Sequence, residues 1–299
     1  MKVKQKKSAL LPGLITVLMV VAAVAGGLRM TDPDGGRLDT MQQELETITA
    51  ENEGLTAQVE ALRTETAEQK ALPEAIQKQK DEGFRLLGEL ERQIRAGESD
   101  KRIAYLTFDD GPYDNTTDAI LDILKEKGVH ATFFLRHRPD HVAQIQREIR
   151  EGHTLANHSY SHKIKAVYQS ADSCIKEIRD QQKWLTETVG VTPEIYRFPG
   201  GSPTAGNKKQ AIAAALAADG LGYVDWNCYT GDGLPGVLTT EKAYQNAVSS
   251  VGEQKIVVML MHDYSAATLE ALPDIIDTLK AKGYMMMPLF RESVMIRSA

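Results

Sequence analysis

From about residue 100 onward, short apolar runs alternate with amphipathic stretches. The runs IAYLTF, VHATFF, HTLANH, IYRF, LGYVDW, IVVML and YMMMPL are brief and rich in β-branched and aromatic residues, and they predict seven strands. Between them, the segments 116–127, 140–151, 171–188, 207–219, 240–251 and 267–282 show the three- and four-residue apolar spacing of helices. Strands alternating with helices predict an α/β fold with a parallel sheet, either an open wound sheet or a barrel. Reactive side chains in such folds gather at the carboxyl ends of strands. The polar residues that close each run are therefore the candidates for chemistry.

The earlier part of the chain follows other periods. Leu38, Met41, Leu45, Ile48, Asn52, Leu55, Val59 and Leu62 recur at alternating steps of three and four, the heptad seam of a coiled coil with Asn52 at an a position. That pattern predicts a parallel two-stranded coil and a homodimer, the alternative being one amphipathic helix lying on the next domain. Pro73 interrupts the seam, and a charged stretch containing Gly83 and Gly88 continues to about Glu98 as a looser helical spacer. Ahead of the seam, MKVKQKK carries four lysines and residues 8–28 carry no charge, about the length needed to cross a bilayer as a helix. Lysines before a span keep that end in the cytoplasm, so a single-pass cell-membrane protein with an extracytoplasmic domain is expected. Ala23-Val24-Ala25 before Gly26 also fits a signal cleavage site, which would make the protein secreted. The expected organisation is 1–28 as Lys-rich end and signal anchor, 29–99 as coiled-coil and helical spacer, and 100–299 as the working domain.

Composition narrows this picture only slightly. A formal net charge of −6 over 299 residues gives no support to a nucleic-acid partner. Cys174 and Cys228 have neither CxxC nor metal-finger spacing, so free thiols are expected, one disulfide being the alternative in an oxidising compartment.

The strand ends say more. Asp109 and Asp110 close the first run in TFDDGP; adjacent side chains on an extended segment point apart, so one acid can face an ion and the other a substrate proton. Asp-Gly and Gly-Pro also mark ordinary turns. The third run ends in HSYSH, where His158 and His162 would stack on one face of a helical turn and grip one ion. Two imidazoles and one carboxylate leave positions open for water and substrate. Arg197 in RFPGGS would hold a neighbouring carboxylate ionised. The fifth run gives Asp225, Trp226 and Asn227, the sixth gives His262 in LMHD. Singly, each has a structural explanation: Trp226 as core, Asp225 as a helix cap, His262 as an edge histidine. Five polar clusters at five of seven strand ends do not.

TFDDGP, HSYSH, RFPGG, DWN and LMHD, in that order, resemble the five motifs of the polysaccharide deacetylases, the NodB-homology domain of carbohydrate esterase family 4; GHTLANHSYSH extends the likeness, which covers roughly 101–290. The resemblance implies a distorted (β/α) barrel of about seven parallel strands. It implies Asp110, His158 and His162 as metal ligands, Asp109 as general base, Arg197 as its orienting partner, His262 as general acid and Asp225 as the residue that tunes it. Leu260 and Trp226 would wall the acetyl methyl, and the Gly200 N–H would face the oxyanion. Two departures stand out: Gly200-Gly201 replaces a bulkier wall, and ATFF continues into Arg136, His137 and Arg138, which would contact an anionic polymer or simply be solvated.

The expected reaction is metal-dependent hydrolysis of the N-acetyl groups of amino sugars in a cell-wall polysaccharide, first of all peptidoglycan N-acetylglucosamine, releasing acetate. Zinc suits the ligand set, and cobalt, manganese, iron or nickel use similar ligands. O-acetyl xylan or another polysaccharide ester is the alternative substrate, and a catalytically silent membrane-tethered scaffold the alternative role.

Overall fold

The computed structural model describes residues 82–298, apart from 292, 294 and 295, together with part of 43–59. The chain divides into two compact units, 1–78 and 79–299. In the first, the described positions are helical, with Ile48, Leu55 and Val59 exposed. The expected membrane span and cleavage site lie outside the described residues, as do Leu38, Met41, Leu45, Asn52 and Leu62 of the heptad seam. Among the described residues, no helix is long and apolar enough to cross a membrane.

The second unit begins with helix α1 (82–96) and continues through β1 (Arg102–Asp109), α2 (Thr117–Glu126), β2 (Thr132–Leu135), α3 (Val142–Arg150), β3 (Thr154–Asn157), α4 (Ile164–Val167), α5 (Ala171–Val189), β4 (Ile195–Tyr196), α6 (Lys209–Ala218), β5 (Gly222–Tyr223), β6 (Cys228–Tyr229), α7 (Thr240–Val251), β7 (Ile256–His262), α8 (Ala266–Ala281) and β8 (Tyr284–Met286). Polar caps start the longest crossover helices. Ser170 and Ser173 form a reciprocal capping box on α5, and the Thr239 and Ser265 hydroxyls accept from the first turns of α7 and α8.

All pairings are parallel. The strands run β5-β4-β3-β2-β1-β7-β6, with β8 joined to β1. Seven parallel strands thus form one continuous path that curves as a half-barrel without pairing its ends. Strand β6 was not among the expected runs, because Cys228–Tyr229 is too short to show a period.

The alternation of β1 sorts the core. Ala104, Leu106 and Phe108 face outward into a cluster with Ile120 and Leu124 of α2, Ile145 of α3 and Leu272 and Ile275 of α8. Ile103 and Tyr105 face inward, with Phe134, Val258, Leu289 and Phe290. Leu87 and Ile94 of α1 join this inner cluster, Phe84 stacks on Phe290 at 5.0 Å, and the Tyr105 hydroxyl donates to the buried Glu91. From residue 82, then, the stretch expected as a loose spacer is packed into the barrel's own core. Burying each large apolar side chain of this kind contributes about 1.5–3 kcal/mol.

Candidate active site

Strand register brings an acid and a base together. Asp109 pairs with His262 across β1 and β7, and Thr107 with Leu260; partners in register share a face, on strands about 4.8 Å apart. All four therefore face inward at the carboxyl end of the sheet. Asp110 then leaves the strand with φ +77°, a left-handed conformation that Asp tolerates better than most residues. This turn carries its carboxylate away from the alternating strand pattern.

His158 and His162 meet the Asp110 carboxylate, but through a loop and not the expected helical turn. Ser159 and His162 adopt φ of 69° and 55°, and side chains hold the backbone in place of an i to i+4 ladder. Ser159 N–H donates to Asn157 Oδ1 at 2.9 Å and His162 N–H to Ser159 Oγ at 3.1 Å, while Glu177 accepts from Ser161 N–H and Oγ. The imidazole centroids lie 4.8 Å apart. His158 Nδ1 lies 2.9 Å from Arg197 O, so it carries the proton and leaves Nε2 free to ligate.

Nε2 of His162 and of His158 lie 3.4 and 3.9 Å from Asp110 Oδ1. One ligand atom from each of the three residues falls within 4.8 Å of the others. Asp110 Oδ1 is buried and accepts no hydrogen bond, the state expected of an oxygen whose partner is a cation. Burial would raise the Asp110 pKa, but His158, His162 and Arg136 outweigh it and hold the carboxyl below its usual range. Burial and the charge of His158 together lower His162 to about 4, keeping it neutral, as a ligand must be. These residues fit a divalent cation.

Arg197 is fully buried. One guanidinium nitrogen donates to Asp109 Oδ1 and to Thr107 Oγ1, both at 2.7 Å; the others donate to Val224 O and Asp225 O at 3.3 and 3.1 Å, and the Phe134 ring lies 4.0 Å away. With Oδ1 spoken for, Asp109 Oδ2 is left 3.6 Å from His158 Nε2, beside the ligand set.

The acid is positioned differently from expectation. His262 Nδ1 lies 2.7 Å from Asp232 Oδ1, and Asp232 Oδ2 accepts from His262 N–H at 2.8 Å and from Thr268 Oγ1 at 2.7 Å. Burial opposes the charged imidazole, but the Asp232 hydrogen bond and charge prevail and raise the His262 pKa. Asp225, expected in that role, instead accepts from Ser202 N–H and Oγ and from Ser298 N–H, at 2.8, 2.6 and 2.8 Å. It fastens the 202–208 turn and the chain's end to the barrel. The signal for Asp232 was its place in TGDG, a glycine-flanked acid just beyond β6, a strand whose two residues hid the strand end. Gly233 follows because a Cβ there would lie 2.6 Å from His262 Cε1.

Gly200, Trp226 and Leu260 line a cleft of about 460 Å³ together with Asp109, Asp110, His158, His162, Asp232 and His262. The Gly201 N–H donates to Phe198 O at 2.8 Å, and Trp226 fills the space a side chain on Gly201 would need. Tyr229, Leu234 and Tyr264 also line the cleft and are exposed, an apolar rim the strand-end rule did not reveal. Behind the site, Asp263 is buried against Thr117 Oγ1, which donates at 2.8 Å; burial pushes its carboxyl up to about 7.

A base and a proton donor opposed across a cation cradle are equipped for hydrolysis of an acyl bond, and the protein is of the hydrolytic deacetylase class. The family model described as polysaccharide deacetylase matches residues 96–221. The chain is 35% identical over 205 residues to a putative polysaccharide deacetylase, YheN, of Bacillus subtilis, covering 64% of this chain and 68% of the relative. It is 30% identical to a peptidoglycan-N-acetylglucosamine deacetylase of Bacillus cereus, covering 65% and 71%. Among solved structures, the catalytic domain of a peptidoglycan N-acetylglucosamine deacetylase from Eubacterium rectale superposes with a TM-score of 0.63 at 35% identity, over 66% of this chain and 93% of that one. A Streptococcus mutans CE4 esterase gives 0.61 at 32%, over 68% and 91%. The chain belongs to the polysaccharide deacetylase family.

Proposed function

We propose that the protein removes acetyl groups from N-acetylglucosamine units of peptidoglycan in a metal-dependent reaction. The observation that carries this reading is the separate pairing of base and acid, Asp109 with Arg197 and His262 with Asp232, on either side of the Asp110, His158 and His162 cluster. An amide resists hydrolysis because its carbonyl is weakly electrophilic and its nitrogen leaves poorly. A divalent cation held by the cluster supplies Lewis acidity for the carbonyl and for water.

Asp109 Oδ2 takes the proton of the attacking water, while Arg197 occupies Oδ1 and fixes the carboxylate plane. The Gly200 N–H faces the oxyanion, where a preorganised donor is worth most. His262, whose protonated form Asp232 favours, gives a proton from Nε2 to the departing sugar nitrogen. Leu260 and Trp226 exclude water from the acetyl methyl. Zinc suits the ligands best, with cobalt, manganese, iron or nickel as substitutes.

Peptidoglycan is preferred because the names of two relatives specify it and because a Lys-rich end followed by the uncharged residues 8–28 suits a membrane anchor that holds the domain at a cell wall. The Leu/Ile/Asn seam would pair two such chains. Acetate release by the full chain, purified in detergent, from peptidoglycan and from N-acetylglucosamine oligomers tests the reading, after chelation and after adding back each metal. Metal-restored release is the expected outcome. Turnover of O-acetyl xylan alone would move the assignment to an esterase. Full rescue of a deletion phenotype by an inactive Asp109→Asn chain would point to a scaffold.

A further inference from the structure

Arg136 follows β2 directly, and its side chain is about one-fifth exposed (22%). It does not border the substrate cleft. Its Nε lies 3.4 Å from Asp110 Oδ1, the oxygen on which the His158 and His162 Nε2 atoms converge. The same Nε donates to Asp110 O at 3.3 Å, and Nη2 donates to Tyr113 OH at 3.1 Å. Arg138 covers the Tyr113 ring at 4.3 Å, which fixes the far end of this link. A cationic side chain is thus held against the ligand set from outside the cleft lining.

We propose that Arg136 is a positioning residue that weakens the protein's hold on its metal ion through the positive charge it places beside Asp110 Oδ1. The inference rests on the metal-dependent reading above. Two effects of the side chain oppose each other. Its hydrogen bonds brace the left-handed Asp110 and so favour binding, whereas its charge repels a divalent cation. A cation about 2 Å from a ligand oxygen would lie about 5 Å from the guanidinium. Even at the dielectric of water, charges of +1 and +2 at about that distance repel enough to cost tenfold or more in affinity. The bracing bonds to Asp110 O and Tyr113 OH are made with or without the ion, whereas the repulsion arises only when the ion binds. Charge therefore wins, and the ion is held exchangeably.

The test is zinc affinity, independent of turnover. The full chain in detergent is stripped with a chelator and titrated with zinc against a chromogenic chelator at low and high salt. Arg136→Gln, which removes the charge and keeps a donor, is expected to bind zinc at least tenfold more tightly than the starting chain, with the gap narrowing at high salt. Arg136→Lys, which keeps the charge and loses the fork, is expected within about threefold of the starting chain. Gln binding equal to or weaker than the starting chain overturns the inference, as does equal tightening by Gln and Lys. If Arg136→Gln loses its folded circular dichroism, Arg136→Met carries the same comparison. A starting chain that binds no divalent metal at all would instead sink the metal-dependent reading, and the inference with it.

Discussion

Replacing Asp232 by Asn tests the acid side of the site against its neighbour Asp225. The Asp232 carboxylate is almost fully buried and touches His262 at Nδ1, at 2.7 Å. Two unit charges about 4 Å apart, at an effective dielectric of about 20, attract by about 4 kcal/mol. Burial of the imidazole opposes this attraction, and the outcome is a pKa above the ordinary histidine value. A proton donor must be charged to act, so activity is present below that pKa and lost as pH rises through it. Asp232→Asn removes the attraction and leaves the burial, so the alkaline limb of kcat should move to lower pH. An amide nitrogen facing Nδ1 would also favour the tautomer that is neutral with Nε2–H, a far poorer acid. The loss in kcat at neutral pH should be about 10²–10⁴-fold, the usual range for a general acid. The assay is acetate release across about pH 5 to 10, with Asp225→Asn in parallel. That second variant gives up charge-assisted bonds to Ser202 and Ser298 and should lose about 1.5–3 kcal/mol of stability with its alkaline limb unmoved. A shifted limb in Asp225→Asn and an unshifted one in Asp232→Asn would refute the assignment.

Three further outcomes follow from buried groups. Asp263, raised by burial to about 7, holds its proton more tightly folded than unfolded; its stabilising contribution is complete below about pH 4 and is lost by about pH 7. Asp263→Asn should therefore be more stable than the parent at pH 8, by up to about 4 kcal/mol, with the difference in Tm vanishing towards pH 4; a constant difference would contradict this. Gly111→Ala would place a Cβ 1.8 Å from Asp263 Oδ2 and should cost about 1–3 kcal/mol, part of which Asp263→Ser recovers; additive losses in the double variant would show that the two do not collide. A chain begun at residue 100 loses Leu87 and Ile94 from the inner cluster, about 3–6 kcal/mol of burial, so its Tm should fall well below that of a chain begun at 79; equal values would mean α1 contributes nothing to the barrel.

The positions that sequence made legible are those fixed by a strand. Asp109 and His262 end long apolar runs whose period is visible, and their pairing across β1 and β7 follows once both strands are placed side by side. His158 and His162 were legible as a pair, but not their conformation: a four-residue spacing suits a helical turn, and a local bond from Ser159 N–H to Asn157 together with a tertiary one from Ser161 N–H to Glu177 makes the left-handed loop preferable. Asp232 was hidden for a different reason. Its strand is two residues long, so no period marks its end, and the more conspicuous Asp225-Trp226 pair next to a visible run drew the assignment. Helix α1 was legible as helical, but its packing into the core was hidden because Gly83, Gly88 and its many charges dilute the apolar stripe that Leu87 and Ile94 provide.

That division has a mechanical consequence. Base, acid and the Arg197 brace stand on or directly after strands whose backbone hydrogen bonds leave little freedom, and the Arg197 side chain ties the end of β4 to β1 and to the chain beyond β5. The acid's partner and part of the rim, by contrast, sit on the loop 230–239, where Gly233 approaches His262 and Leu234 is exposed beside the cleft. Changes at Leu234 can therefore alter how a polymer rests on the rim without displacing Asp109 or the ligand histidines. A change at Gly233 cannot, because any side chain there presses on the imidazole. Substrate preference and proton transfer are separable one residue apart on the same loop, so Leu234→Ala should change KM for long oligomers with kcat nearly constant, whereas Gly233→Ala should lower kcat for substrates of every length.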